Sequence, residues 1–136
     1  MAYYNRGVAY GNNGDWDKAI ADFNEAIRLD PKNTLAYYLR GRAHQNNGEY
    51  DKAITDFDSA ISLNANYTKA FSSRANAYEH KGEYARAIAD FTECIRLNPE
   101  LAVTYFNRGL VYEKKGEPAK AEADFAEAKR LGYAQQ

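Results

Sequence analysis

Residues 40–57 read RGRAHQNNGEYDKAITDF, and the same pattern occurs three more times in the chain. The equivalent stretches are RGVAYGNNGDWDKAIADF at 6–23, RANAYEHKGEYARAIADF at 74–91 and RGLVYEKKGEPAKAEADF at 108–125. Each stretch begins 34 residues after the previous one, and four rows of 34 residues fill the 136-residue chain without a gap. A fixed period of this length is typical of a solenoid built from repeated helical units.

Within each row, apolar and small residues recur every three or four positions, which indicates two amphipathic helices. A turn separates them; in the first row Gly14 suits a left-handed backbone and Asp15 is expected to cap the next helix. In two rows a proline, Pro31 or Pro99, stops the second helix. We predict helices near 2–13, 16–29, 35–47, 50–63, 69–81, 84–97, 103–115 and 118–131.

Small residues and aromatic rings recur at matching places on the two helices. The first helices carry Gly7, Gly41, Ala75 and Gly109, and the second helices carry Phe23, Phe57, Phe91 and Phe125. We expect each small residue to face a ring, because burying a ring stabilises a fold by roughly 1.5–3 kcal/mol. Cys94 occupies a small position of a second helix, so a packing role is predicted; a reactive thiol is the alternative.

The first row carries its most distinctive residues at Tyr3, Arg6, Gly7, Tyr10, Ala19, Phe23 and Pro31. This pattern resembles the tetratricopeptide repeat. The resemblance implies an all-α fold, a right-handed superhelical solenoid of four antiparallel helix-turn-helix hairpins with eight helices. We expect a single domain over 1–136, with repeats at about 1–34, 35–68, 69–102 and 103–136 and a loose tail at 133–136.

The rows depart from the family pattern at a charged pair of positions. Arginine replaces the leucine that is usual in the family, and an aspartate precedes the ring of every second helix. A buried guanidinium needs a partner, because an unpaired charge in a core is very costly. We therefore predict ion pairs between neighbouring hairpins; the alternative is an arginine row that binds acidic partners. The predicted pairs are Asp22 with Arg40, Asp56 with Arg74, and Asp90 with Arg108.

The first and last rows also differ from the middle ones. Glu122 and Lys129 stand in the last row where earlier rows have isoleucine, which predicts the polar outer face of a terminal repeat. We expect the array to end near Gly132. The first row has no such polar face, so the chain is compatible with a piece of a longer protein. Its first helix is expected to fray or to pack against a neighbour.

In the resembled family the first helices line the concave side of the superhelix. The resemblance therefore implies a ligand groove formed by first-helix residues that the core does not use. Rings beside amides suit a peptide, because rings bury its side chains and amides bind its backbone; alternatively, these rings cover neighbouring helices. The predicted groove residues are Tyr4, Val8, Asn12, Tyr38, Arg42, Gln45, Asn46, Asn76, Glu79, His80, Phe106, Leu110, Glu113 and Lys114.

These features predict a protein–protein interaction scaffold that binds a peptide or partner segment. The alternative is a self-assembly module that stacks through its N-terminal hairpin, giving a homo-oligomer. No catalysis, cofactor or metal site is expected, because two histidines and one cysteine form no ligand cluster of convincing spacing. The net charge of −1 argues against nucleic acid and membrane surfaces. With no visible signal peptide and no apolar run of about 20 residues, a cytoplasmic location is expected.

Overall fold

The computed structural model of the protein describes residues 2–133 and contains, within that range, eight α-helices and no strand. Every helix boundary lies within one residue of its predicted position, so the helical repeat is confirmed. The helices are α1 (Ala2–Asn12), α2 (Trp16–Leu29), α3 (Thr34–Asn46), α4 (Tyr50–Leu63), α5 (Thr68–His80), α6 (Tyr84–Leu97), α7 (Ala102–Lys115) and α8 (Pro118–Arg130).

The chain divides into two compact units, each built from helical hairpins. The first unit, Met1–Ala70, holds α1 to α4 and the start of α5. The second unit, Phe71–Gln136, holds the remainder of α5 and α6 to α8. In the first unit α3 packs against both α2 and α4, and in the second unit α7 packs against both α6 and α8. Organisation as a single domain remains a prediction.

The two helices of a hairpin are joined by a turn whose glycine has a left-handed backbone. Gly48 has a φ of +79°, and its N–H donates to the carbonyl of Gln45 at 3.0 Å. The next N–H, of Glu49, donates to the carbonyl of His44 at 2.8 Å, which completes a Schellman motif. Glycine adopts this conformation without a Cβ clash. The equivalent left-handed residues are Gly14, Gly82 and Gly116.

The predicted side-chain cap at Asp15 is wrong. Asp15 has a φ of −85° and a ψ of 70°, and its carboxylate makes no capping hydrogen bond to α2. Its backbone closes the turn instead: the N–H donates to the carbonyl of Tyr10 at 2.9 Å, and the carbonyl accepts from the N–H of Ala19 at 3.0 Å. A side-chain cap lies at the start of α3, where Asn33 Oδ1 accepts from the N–H of Ala36 at 3.1 Å.

Each hairpin is held tightly at one point, where a small residue of the first helix meets a ring of the second. A Cβ added to Gly41 would lie 2.7 Å from Cε1 of Phe57, so α3 and α4 approach too closely there for alanine. Phe57 is fully buried. The predicted contact between small residue and ring is confirmed. The equivalent pairs are Gly7 with Phe23, Gly109 with Phe125, and Ala75 with Phe91 in one buried cluster.

The arginine–aspartate ion pairs lie within hairpins, so the predicted pairing between neighbouring hairpins is wrong. Arg40 donates from Nε and Nη2 to the two carboxylate oxygens of Asp56, at 2.9 and 2.6 Å. The contact of Gly41 with Phe57 explains this pairing, because Arg40 and Asp56 directly precede those two residues and are brought together with them. The same bidentate pairs occur at Arg6–Asp22, Arg74–Asp90 and Arg108–Asp124.

Hydrogen bonds to neutral side chains link Arg40 and Arg108 to the preceding hairpin of the same unit. Nη1 of Arg40 donates to Oδ1 of Asn24 at 2.8 Å, and Nη1 of Arg108 donates to Oγ1 of Thr92 at 3.1 Å. The guanidinium of Arg40 also lies 5.6 Å from the centre of the Tyr37 ring, a cation–π distance. These contacts favour the structural interpretation of the arginine row.

Tyr133 is packed against α7, so the predicted loose tail is wrong at this residue. Its ring stacks on Phe106 with the ring centres 4.5 Å apart. The Schellman bonds at the end of α8 turn the chain back: Gly132 donates to the carbonyl of Lys129 at 3.0 Å, and Tyr133 donates to that of Ala128 at 2.9 Å. The rest of the predicted tail, 134–136, lies outside the described residues.

The polar replacements in the last row lie on the surface, as their charge predicts. Glu122 and Lys129 of α8 are both exposed. Their counterparts in the first hairpin, Ile20 and Ile27, are half-buried.

Candidate functional site

A partly open pocket of about 130 Å³ lies in the first unit between α1, α2 and α3. Four of the predicted groove residues line it: Val8, Asn12, Arg42 and Asn46. An apolar cavity of roughly 150 Å³ is large enough for a benzene-sized group. The pocket therefore has room for one apolar side chain of a ligand.

The lining changes from apolar to polar between its buried and its exposed members. The buried members include Ala19 and Phe23, and Trp16 and Leu39 are half-buried. The exposed members are Asn12, Arg42 and Asn46. An apolar interior with a few polar groups at its opening is the usual composition of a ligand site.

The glycine at position 11 explains why this pocket lies at the first hairpin. The other three repeats have long side chains at the equivalent positions, Gln45, Glu79 and Glu113. A Cβ added to Gly11 would lie 3.5 Å from Cζ3 of Trp16, an ordinary van der Waals distance. Packing therefore does not require glycine there, and its missing side chain leaves space beside the indole.

Tyr38 belongs to the core, so its prediction as an exposed groove ring is wrong. It is 7% exposed, and its ring centre lies 6.0 Å from that of Phe57 and 5.1 Å from that of Tyr67. Tyr67 precedes α5 and packs on Tyr38 from outside the first-helix pattern. Burial, reinforced by Tyr38 and Tyr4, raises the pKa of Tyr67 to about 12.

The other predicted groove residues of the first unit do not line the pocket. Tyr4 is half-buried, with its ring 6.3 Å from that of Phe23 in an edge-to-face arrangement. Gln45 is half-buried on α3. Tyr4 and Tyr38 thus support the alternative that the rings cover neighbouring helices.

The second unit holds the other seven predicted groove residues, and two of them neutralise each other. Nζ of Lys114 lies 2.6 Å from Oε2 of Glu79, and this hydrogen bond raises the pKa of Lys114. Phe106 packs between the rings of Phe125 and Tyr133, at 5.4 and 4.5 Å. Of the remaining four, Asn76 and Leu110 are half-buried, and His80 and Glu113 are exposed.

The described residues contain no metal-ligand cluster and no membrane-spanning helix, and Cys94 among them is buried. Within 2–133, no group of three or more histidine, cysteine, aspartate or glutamate side chains could hold a metal ion. No helix in the same range is long and apolar enough to cross a membrane. Cys94 is fully buried, and this burial raises the pKa of its thiol to about 12. Its predicted packing role is confirmed.

Comparison of the sequence with family models identifies the repeat. A model described as tetratricopeptide repeat matches residues 1–33, and a second model with the same description matches 38–102 and 72–133. The chain belongs to the tetratricopeptide repeat family. Its all-α solenoid class is thereby confirmed. The tetratricopeptide repeat family is generally non-catalytic. This chain is a protein-interaction scaffold.

Solved structures of MamA are similar to this tetratricopeptide repeat chain. One crystal structure of MamA is 29% identical, with a TM-score of 0.91 over 95% of this chain and 75% of that chain. Another is 28% identical, with a TM-score of 0.91 over 98% and 77%. MamA 41-end from Desulfovibrio magneticus RS-1 is 21% identical, with a TM-score of 0.90 over 95% and 73%, which shows the fold alone. No match was found among curated protein sequences.

Seven residues that line the pocket of this tetratricopeptide repeat were not predicted as groove residues: Gly7, Gly11, Trp16, Ala19, Phe23, Leu39 and Ala43. The two largest side chains among them besides Phe23 are Trp16 and Leu39, and both are half-buried. The signal available in the sequence was Gly11, because the other three rows have a long side chain at the equivalent position. The ring five residues later then becomes the wall of an open space.

Proposed function

We propose that the first unit binds a peptide or an extended partner segment by taking one apolar side chain into the pocket beside Trp16. The single observation that supports this most strongly is the pocket itself, where four predicted groove residues meet an apolar interior. Nδ2 of Asn46 donates within α3 to the carbonyl of Arg42 at 3.0 Å, which holds this amide beside the pocket. Asn12 stands exposed at the same pocket.

The expected affinity is modest, because one anchor fills one pocket. Burying a single aliphatic or aromatic side chain contributes about 1.5–3 kcal/mol, whereas a micromolar complex requires about 8 kcal/mol in total. Hydrogen bonds from the amides and contacts outside the pocket must supply the difference. We expect dissociation constants of about 10–500 µM for short peptides.

The test uses Trp16, the only tryptophan of the chain, as a reporter inside the pocket. Peptides are selected from a random display library on the wild-type protein, synthesised and titrated while the tryptophan emission is recorded. We expect a saturable blue shift, because the bound side chain displaces water from the indole.

Two matched substitutions locate the binding site. Val8 and Leu110 are equivalent positions of the first and fourth repeats, and the third repeat has Asn76 there. Val8→Asn should weaken binding at least fivefold, and Leu110→Asn should leave it unchanged. Binding that survives Val8→Asn but is lost in Leu110→Asn would place the site in the second unit and overturn the proposal.

The second candidate function is self-association through the first hairpin, and the exposure of its ion pair favours it. The side chain of Arg6 is 59% exposed, whereas the equivalent Arg40 and Arg108 are 22% and 18% exposed beneath the preceding hairpin of their unit. A second copy seated on α1 would cover Arg6 in the same way. Sedimentation equilibrium from 10 µM to 1 mM should then show a dimer that Arg6→Glu weakens; a monomer throughout contradicts it.

A further inference from the structure

Two turns of the first unit have nearly the same sequence. Residues 12–15, which read NNGD, join α1 to α2, and residues 46–49, which read NNGE, join α3 to α4. The turns of the other two hairpins have Lys81 and Lys115 before the glycine. An asparagine directly before a glycine therefore occurs twice in the chain, at equivalent places of neighbouring hairpins.

An asparagine before a glycine has a reaction of its own. The backbone nitrogen of the glycine attacks the side-chain amide carbon, because glycine has no Cβ to hinder the approach. The new bond closes a five-membered succinimide, and the amide nitrogen leaves as ammonia with the proton of the backbone nitrogen. Water then opens the ring to aspartate, or to isoaspartate, in which the main chain runs through the side-chain carbon. Nothing is oxidised or reduced in either step.

The backbones of the two turns are the same. Gly14 and Gly48 both have a φ of +79°, and the N–H of each donates to the carbonyl three residues earlier at 3.0 Å. Asn13 and Asn47 are both exposed. A Cβ added to either glycine would meet no atom within 4 Å, so water reaches both turns. Backbone geometry and exposure therefore do not distinguish the two asparagines.

The side chains of the two asparagines differ in how they are held. Nδ2 of Asn47 donates to Oδ1 of Asp17 on α2 and to Oε1 of Glu49, both at 3.1 Å. These bonds hold the amide away from the attacking nitrogen of Gly48. Asn13 makes no side-chain hydrogen bond to any residue in the range 2–133. The aspartate that holds Asn47 belongs to the preceding hairpin, and Asn13 lies in the first hairpin of the chain.

We propose that Asn13 is a site of spontaneous deamidation, with water as the only reagent, and that Asn47 is protected by Asp17 and Glu49. The modification introduces a carboxylate at the C-terminal end of α1, where the helix dipole is already negative.

The isoaspartate product also disturbs the turn itself, because it adds one carbon to the main chain before Gly14. The N–H of Gly14 donates to the carbonyl of Gly11 at 3.0 Å, and the N–H of Asp15 donates to that of Tyr10 at 2.9 Å. The added carbon shifts both donors out of this Schellman arrangement. Deamidation should therefore weaken the connection of α1 to α2.

The test follows both asparagines in one sample. The full chain is incubated at pH 7.4 and 37 °C and digested at acidic pH, and the two turn peptides are analysed by liquid chromatography and mass spectrometry. A synthetic peptide of residues 8–20 gives the rate at Asn13 without the fold. We expect Asn13 to react about tenfold faster than Asn47, a difference of about 1.4 kcal/mol in activation free energy, which one or two hydrogen bonds supply.

Two variants assign the cause and the consequence. Asp17→Ala removes one acceptor of the Asn47 amide, so the rate at Asn47 should rise at least threefold while the rate at Asn13 changes by less than twofold. Asn13→Lys gives the first turn the residue of Lys81 and Lys115. Incubated wild type should have a lower urea midpoint than fresh wild type, whereas incubated Asn13→Lys should keep the midpoint of its fresh sample.

The contrary results are specific. Equal rates at Asn13 and Asn47 overturn the proposal, and so does an Asn13 that stays intact after the synthetic peptide has reacted fully. An unchanged rate at Asn47 in folded Asp17→Ala overturns the protection by Asp17. If incubation lowers the midpoints of wild type and Asn13→Lys equally, the structural consequence is overturned. None of these outcomes depends on peptide binding in the pocket.

Discussion

Replacing Arg108 with methionine removes the partner of a buried carboxylate while keeping a long side chain in place. Asp124, 7% exposed at its side chain, accepts from Nε and Nη2 of Arg108 at 2.8 and 2.7 Å. Leaving such a carboxylate buried without its cation costs about 3–5 kcal/mol. Single domains unfold with only about 5–15 kcal/mol, so this loss is a large fraction of the stability.

The assay is urea unfolding followed by circular dichroism at 222 nm. With a slope of about 2 kcal/mol per molar urea, a loss of 4 kcal/mol lowers the midpoint by about 2 M. Arg6→Met is the matched control: it removes the same bidentate pair from Asp22, but the guanidinium of Arg6 is 59% exposed and water can replace it. The carboxylate of Asp22 is as buried as that of Asp124, so the two variants differ in how well water reaches the place of the lost guanidinium. We expect the smaller loss of stability in Arg6→Met, because its guanidinium is the more exposed one.

A second control replaces both members of the pair. The double variant Arg108→Met with Asp124→Leu should recover most of the lost stability, because two apolar side chains leave no buried charge. Equal losses for Arg108→Met and Arg6→Met would refute the reasoning from burial. A double variant as unstable as the single one would refute it as well.

Three further predictions concern other parts of the fold. Cys94, with a thiol pKa raised to about 12 by burial, should react with a thiol reagent at pH 8 only at the rate of unfolding; rapid labelling of the folded protein would contradict its packing role. The pKa of Glu49 is lowered to about 2, and a hydrogen bond from Lys52 is the largest cause. The stability that the Glu49 carboxylate contributes is therefore present above about pH 4.5 and is lost as the pH falls toward 2. The unfolding midpoints of wild type and Glu49→Gln should therefore converge as the pH falls over that range. A difference between the two midpoints that widens would refute this prediction. Gly41→Ala should destabilise by about 1–3 kcal/mol in thermal unfolding, because its Cβ would lie 2.7 Å from Cε1 of Phe57; an unchanged midpoint would show that the ring can move.

The helices could be predicted closely because the repeat supplies four readings of one pattern. Turn glycines such as Gly48 and stop signals such as Pro99 mark the same boundaries in several rows. The contact of Gly41 with Phe57 could be predicted from residue size alone, because a small residue is required wherever a ring approaches a helix closely.

Periodicity was less informative about which neighbour a side chain meets. It predicted that the repeated arginines pair with aspartates, but it assigned Arg40 to Asp22 of the preceding hairpin, whereas Arg40 pairs with Asp56 of its own hairpin. Tyr38 was misassigned because its cover, Tyr67, comes from a connecting segment that follows no helical period.

Part of the candidate site could be predicted from the sequence, and part depends on which neighbours its side chains meet. Val8 and Arg42 were among the first-helix residues that the family resemblance placed in the groove, and both line the pocket. The pocket itself depends on a residue that is missing a side chain, Gly11, and on where the ring of Trp16 lies beside it. The sequence shows that position 11 lacks a side chain, but only the three-dimensional packing shows where the Trp16 ring lies.

The most direct test of peptide binding in this pocket is to measure stability and affinity together in Gly11→Gln, which gives the first repeat the residue of the second. Glutamine favours a helix over glycine by about 0.5–1 kcal/mol, so the free energy of unfolding should rise by that amount. Its side chain should occupy the space beside Trp16 and weaken peptide binding at least tenfold. A variant that is more stable yet binds the selected peptides as tightly as wild type would contradict the account.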